Sequence, residues 1–221
     1  MSLTTADSLD KFVVRASQSR AIALGVKSLH VNFKGGLAAL GTLRNCLALL
    51  KHLEDLELHL SGLSHSSWVH ILRSANLEKL QNLSTNAPHS ALCHFLPRTM
   101  NLRYLRLLSC CPDLCELENI PLLQLTDITA ASVCVVPLAK HMHVERLSVV
   151  DLGQDDCVAF PRMFRSLATS ALTLTTLHID FDPADRDILR RISEIAPKLT
   201  ALKLIERALP RVRNLVYFSV A

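Results

Sequence analysis

Three cysteines lie close together near the middle of the chain, at Cys110, Cys111 and Cys115. Thiolates bind zinc and act as nucleophiles, but this spacing is not that of paired C-x-x-C zinc ligands. A free cysteine is most often a small buried hydrophobic residue. The sequence therefore predicts structural thiols here. The chain has seven cysteines, an odd number without the density of a disulfide framework.

Two further groups of polar residues have ligand chemistry. His89, Cys93 and His94 fall on a predicted helix, where residues four apart share a face. Two ligands do not complete a zinc site, so we expect a solvated helix face. Four aspartates near the start of a later helix could attract a divalent cation, but helix capping and solvation explain them better. These are Asp180, Asp182, Asp185 and Asp187.

Common catalytic and phosphate-binding motifs are absent from the sequence, and it has only six glycines for a phosphate-binding loop. We therefore expect a protein that is not an enzyme and that uses no metal and no cofactor. A cysteine-dependent enzyme is the alternative from a different class. It would need a pair such as Cys110 and a histidine brought close by folding.

Composition narrows the class of protein further. The chain of 221 residues is 49% hydrophobic and 20% charged, which excludes extensive disorder. The longest apolar run, Val133 to Ala139, is far shorter than the roughly 20 residues of a membrane span. A net charge of +4 without a basic stripe disfavours nucleic acid as a partner. No secretory signal is visible, so we expect an intracellular protein, cytoplasmic or nuclear, without membrane contact.

A short phrase with apolar residues at its first, fourth and sixth positions recurs eight times, with starts 20 to 30 residues apart. The copies are Val26-Leu29-Val31, Leu53-Leu56-Leu58, Leu77-Leu80-Asn82, Leu102-Leu105-Leu107, Leu122-Leu125-Asp127, Val144-Leu147-Val149, Leu174-Leu177-Ile179 and Leu199-Leu202-Leu204. The third and fifth copies are imperfect. For the fifth, a register using Leu125 and Ile128 is also open.

Segments with helical spacing separate several of these phrases. Residues Leu37, Leu40, Leu43, Leu47 and Leu50 share one helix face, as do Ile188, Ile192 and Ile195. In the second case, we expect Asp182 to cap the helix, Pro183 to occupy its first position and Pro197 to end it. The two shortest intervals, after Leu102 and Leu122, have room only for compact turns or short 3₁₀ pieces.

A period-2 strand followed by a helix forms one coil of a solenoid, and such coils are stable only when stacked. The predicted fold is therefore an α/β horseshoe, with a parallel sheet on its concave face and helices and irregular turns on its convex face. Residues 1–25 would form an N-terminal capping helix region, and residues 26–221 an array of about eight repeats. A last strand near residues 212–220 either caps the array, or belongs to a truncated longer chain, or is covered by a partner.

The third, fifth and seventh residues of each phrase should point away from the core, because strand side chains alternate between faces. At the seventh position this gives an apolar column through four coils, beside two residues that often anchor interfaces. The column is Leu83, Leu108, Ile128 and Val150, and its neighbours are Tyr104 and Arg106. These six residues are the predicted protein-binding site. An equally open alternative is that the residues of this column turn into the core.

The phrases beginning at Val26, Leu53 and Leu102 resemble the repeats of leucine-rich-repeat proteins, and their irregular lengths are similar to the repeat region of fungal F-box proteins. This resemblance implies a non-catalytic module that binds a protein partner on its concave sheet. It also implies an alternative, a substrate-receptor fragment that works with ubiquitin ligase subunits. No F-box is seen before the first strand.

Overall fold

The computed structural model describes residues 1–34, 39–109, 115–120, 122, 124–139, 143–150, 159–181, 186–206 and 215–219. Contacts divide the chain into two compact units. The first unit is Met1–Cys111 with Glu116–Gln124, and the second is Pro112–Cys115 with Leu125–Ala221. Both units are α/β, built on parallel strands.

The described part of the first unit contains five strands, and consecutive strands within it pair in parallel. Leucines form a continuous row across it, with Leu29 opposite Leu56, Leu56 opposite Leu83, and Leu83 opposite Leu105. The predicted parallel sheet is therefore confirmed within this unit. The strands are β1 (Ser2–Leu3), β2 (Ser28–Lys34), β3 (Asp55–Ser61), β4 (Asn82–Thr85) and β5 (Tyr104–Leu107).

Helices connect these strands and pack against one another in chain order. They are α1 (Ala6–Gln18), α2 (Arg20–Gly25), α3 (Leu40–Leu49), α4 (His65–Arg73) and α5 (His89–Leu92), with 3₁₀ turns at Leu96–Arg98 and Glu116–Asn119. Helix α1 contacts α3, α3 contacts α4, and α4 contacts α5. A capping box formed by Thr5 and Ser8 starts α1. The N-terminal helix was predicted, whereas β1 was not.

The described residues of the second unit form four parallel strands and one antiparallel strand. The strands are β6 (Asp127–Ala130), β7 (Arg146–Val149), β8 (Thr176–Phe181), β9 (Ala201–Glu206) and β10 (Leu215–Ser219). The last of these pairs with β9 in the antiparallel sense, so the predicted final strand covers the outer edge of β9. The helices are α6 (Ser132–Ala139), α7 (Ala159–Ser166) and α8 (Ile188–Ile195), with a 3₁₀ turn at Leu167–Ser170.

Burial alternates along the longer strands. In β3, the side chains of Leu56, Leu58 and Leu60 are buried, and those of Asp55, Glu57 and His59 between them are half-buried. Each buried leucine contributes roughly 1.5–3 kcal/mol through removal of its apolar surface from water. Along these strands, one face is therefore core, and the other is open to solvent.

The register of two repeats differs from the one that the sequence predicts. In the third repeat the row of core residues is Leu80, Leu83 and Thr85, because Leu83 lies opposite Leu56 and Thr85 opposite Leu58. Thr85 is accommodated in the core because its hydroxyl donates to Leu58 O (3.0 Å) and accepts from Ala87 N (3.0 Å). The predicted start at Leu77 is thus three residues too early.

The fifth repeat shows the same displacement. Ile128 lies opposite Leu147 and Ala130 opposite Val149, so the core row begins at Leu125. The alternative register with Leu125 and Ile128 is confirmed, and Asp127 belongs to the third position of the repeat rather than the sixth.

The predictions for the connecting segments had different outcomes. Helices α3 and α8 and the 3₁₀ turn after β5 are confirmed. The compact turn predicted after the fifth phrase is wrong, because α6 fits there with Cys134, Val135 and Leu138 fully buried. Helix α8 begins at Ile188, directly after Asp187. The predicted cap Asp182 and the predicted first residue Pro183 lie outside the described residues. No described helix combines the length and apolarity needed to cross a membrane.

Candidate binding surface

A chain of interacting side chains crosses the open face of the first unit from β2 to β4. Ser28 Oγ lies 3.1 Å from His30 Nε2, and His30 Nδ1 lies 2.5 Å from Glu57 Oε2. The other carboxylate oxygen, Glu57 Oε1, lies 3.4 Å from His59 Nδ1, and His59 Nε2 lies 3.1 Å from Ser84 Oγ. We call these five residues the polar row. Its members fix one another's orientation.

Strand register produces the polar row. His30 lies directly opposite Glu57, and Glu57 directly opposite Ser84. Neighbouring parallel strands are about 4.8 Å apart, so side chains at matching positions reach each other without backbone adjustment. The row therefore depends on the fifth position of three consecutive repeats, with Ser28 joining from the third position and His59 from the seventh.

One imidazole of the row, that of His59, has a lowered pKa. Desolvation lowers the pKa of His59, Arg106 and His30 lower it further by repulsion, and Glu57 opposes them. His59 is thus neutral at neutral pH. Its ring then accepts one hydrogen bond and donates another.

Two amide side chains extend the hydrogen-bonded surface on either side of the row. Asn82 donates to Asp55 across β4 and β3. Asn86, just after β4, accepts from Leu60 N and donates to Leu60 O, both at 2.9 Å. The Asn86 amide therefore fixes the end of β3, and it occupies the seventh position of the third repeat in the observed register.

Three of the six residues predicted to bind a partner come together beside this row. Tyr104 is half-buried and Arg106 exposed on β5, and Leu108 directly after them is half-buried. The amide of Leu108 donates to Thr85 O at 2.9 Å, which holds it against the end of β4. We call Tyr104, Arg106 and Leu108 the β5 cluster.

The apolar column itself is not formed. Leu83 and Ile128 each expose only 1% of their surface, so the prediction that they face a partner is wrong. The physical reason is the three-residue displacement of both repeats, which moves each residue from the seventh position to the buried fourth position. Val150 is half-buried in the second unit, where its amide donates to Ala130 O.

The open face of the second unit has its own polar contacts, which sequence reasoning missed. Asp127, nearly buried, accepts hydrogen bonds from the Arg146 guanidinium and from Thr126 Oγ1. This pairing raises the pKa of Arg146. Burial, followed by repulsion from Lys203, lowers the pKa of His178 on β8. The correct register of the fifth repeat would have placed Asp127 opposite Arg146.

The histidine and cysteine candidates differ in burial where the structure describes them. His89 is buried rather than solvated, so the prediction of a solvated face is wrong for this residue, whereas His94 is exposed. Cys93 Sγ donates to Glu116 O at 3.3 Å. Burial raises the pKa of the Cys46 thiol to about 12, which is opposite to the activation that a nucleophile needs.

Two of the remaining thiols lie in the described part of the chain. Cys134 is buried within α6, and Cys115 is half-buried. Cys110 and Cys111 lie outside the described residues.

Comparison of the chain with protein-family models finds no matching family, and comparison with curated proteins finds no matching sequence.

Proposed function

We propose that this protein is a leucine-rich-repeat module that binds a partner protein on the open face of its sheet, without making or breaking bonds. Two features support this architecture over a doubly wound nucleotide-binding fold. Strands in each unit follow chain order without the reversal that creates a nucleotide crevice. Strands of a doubly wound sheet are buried on both faces, whereas the side chains of β3 alternate between the core and the open face.

The observation that carries the proposed function is the polar row beside the β5 cluster. Side chains that already hold one another lose less conformational entropy when a partner binds. Tyrosine and arginine are among the residues that most often anchor protein interfaces. Here Tyr104 and Arg106 lie two residues apart on the same face of β5. A preformed polar surface with an amphipathic anchor at its side suits a folded protein partner.

The test is a comparison of partner capture by matched variants. One carries Tyr104→Ala and Arg106→Glu on the open face, and the control carries Val14→Ala and Arg15→Glu on α1, where both residues are exposed. The proposal expects a protein that co-purifies with the wild type and the control but is lost from the open-face variant. With that partner purified, calorimetry should show binding weakened by about 30-fold or more, the effect of losing one hot spot.

Equal recovery of every co-purifying protein by the two variants would contradict the proposal. Thermal unfolding of both variants at the wild-type temperature is the necessary companion measurement. It separates loss of an interface from loss of the fold.

A further inference from the structure

A cavity of about 370 Å³ lies in the first unit, between α4 and the segment that runs from α5 into the following 3₁₀ turn. Its floor is apolar and consists of Leu72, Ala91 and Phe95, all of which are buried, with Val69 as a half-buried wall. The volume lies within the range of roughly 300–1,000 Å³ typical of small-molecule sites. None of these residues belongs to the open face of the sheet.

The charged groups at the rim of the cavity are two guanidinium cations. The rim is formed by Arg73, His94 and Arg98, and none of the lining residues is acidic. Within the described part of the chain, the side chains of Arg73 and His94 form no ion pair or hydrogen bond, and both are exposed. Two guanidinium groups and an imidazole therefore face an opening that contains no counter-charge of its own.

Arg98 is held rigidly at this rim. Its guanidinium donates to Leu72 O (2.9 Å), Arg73 O (3.0 Å) and His94 O (3.2 Å), and it lies 6.0 Å from the ring centre of Phe95. Two of these acceptors, Leu72 O and Arg73 O, are carbonyls at the C-terminal end of α4, where the helix dipole repels an anion. Arg98 thus places a positive charge at the helix end that is otherwise unfavourable to an anion.

We propose that this cavity binds a small organic carboxylate with an apolar tail, which would place its tail on the Leu72–Ala91–Phe95 floor and its carboxylate at the Arg73 and Arg98 rim. Burial of the tail supplies affinity at about 25 cal/mol per Å² of apolar surface. The exposed, planar Arg73 guanidinium can pair with a carboxylate through two parallel hydrogen bonds, which gives selectivity for the anion over a neutral alcohol.

The experiment is a titration of the ¹⁵N-labelled protein with octanoate, followed by amide chemical shifts, with 1-octanol as the neutral ligand of equal tail length. The proposal expects saturable shifts around Val69, Ala91 and Phe95. It expects octanol to bind at least about fivefold more weakly, and octanoate binding to weaken as sodium chloride is raised. Absence of saturable shifts, shifts elsewhere in the protein, or equal binding of both ligands would overturn it.

Arg73→Gln is the variant, because its side chain makes no described contact that folding needs. Loss of one exposed cation should weaken octanoate binding by about two- to fivefold and leave octanol binding unchanged. Arg15→Gln removes the same charge from an exposed site on α1 and should change neither affinity. Octanoate binding by Arg73→Gln that equals the wild type would place the anion elsewhere and refute the proposed site.

Discussion

Truncation of Leu83 to alanine tests the corrected register of the third repeat. Leu83 exposes 1% of its surface and lies between Leu56 and Leu105, which are themselves buried. Leu108, in contrast, is half-buried at the end of the same open face that sequence reasoning assigned to both residues. The two leucines therefore form a matched pair, one core and one surface.

The expected difference follows from burial. A fully buried leucine replaced by alanine costs about 2–5 kcal/mol, the larger values where neighbours cannot collapse into the cavity. The leucines beside Leu83 are fixed by strand pairing, so we expect a loss of about 3–4 kcal/mol. Leu108→Ala removes roughly half as much buried surface without an enclosed cavity, and should cost about 1 kcal/mol.

Urea denaturation followed by circular dichroism measures both values, and thermal unfolding gives an independent estimate. At about 2–4 °C per kcal/mol for a chain of this size, Leu83→Ala should lower the midpoint by roughly 6–16 °C, and Leu108→Ala by about 2–4 °C. Equal destabilisation by the two variants, or a smaller loss for Leu83→Ala, would refute the assignment of Leu83 to the core.

Three further results are expected from side chains whose environment is unusual. Thr85→Val keeps the shape but leaves the Ala87 N–H unpaired, so it should cost about 1–3 kcal/mol in urea denaturation; a variant as stable as the wild type would contradict this role. With a pKa of about 12, the Cys46 thiol should react about a thousandfold more slowly with iodoacetamide at pH 8 than it does in the unfolded chain, and comparable rates would show that it is not buried. Because the pKa of His59 is lowered, the unfolded state binds its proton more readily, so stability should fall as pH drops below about 6.5. His59→Gln should reduce that slope, and an unchanged slope would count against a buried neutral imidazole.

The repeat and its parallel strands were predictable because each strand carries apolar residues at alternate positions. Six of the eight phrases have the predicted register where strand pairing describes them. The other two lie in runs of apolar residues spaced three apart, Leu77, Leu80, Leu83 and Leu122, Leu125, Ile128. Such a run satisfies the first-to-fourth spacing of the phrase twice, so that spacing alone does not choose the start.

The sixth position was the signal that could have decided the register. Starting at Leu77 or Leu122 places Asn82 or Asp127 in the core, whereas starting three residues later places Thr85 or Ala130 there. An ionised carboxylate in an apolar core is costly, and a threonine hydroxyl is satisfied by nearby backbone.

Other features of the candidate surface could not be predicted from one sequence. The polar row depends on which residues of different strands lie opposite each other, as His30 and Glu57 do across β2 and β3. The cavity at α4 depends on how Arg98 folds back on the end of that helix. Both are consequences of packing between repeats rather than of any local pattern.

Disulfide trapping between β3 and β4 tests the register on which the proposed binding surface depends. Glu57 lies directly opposite Ser84, so the double variant Glu57→Cys, Ser84→Cys should form a disulfide on mild oxidation, identified by peptide mass spectrometry. In the register that the sequence alone predicts, Gln81 would take that place. In the observed structure, Gln81 is three residues away along the strand, about 10 Å, which is beyond disulfide reach. The predicted result is efficient cross-linking in the variant that pairs Glu57→Cys with Ser84→Cys and none in the variant that pairs Glu57→Cys with Gln81→Cys; the reverse preference would contradict the account.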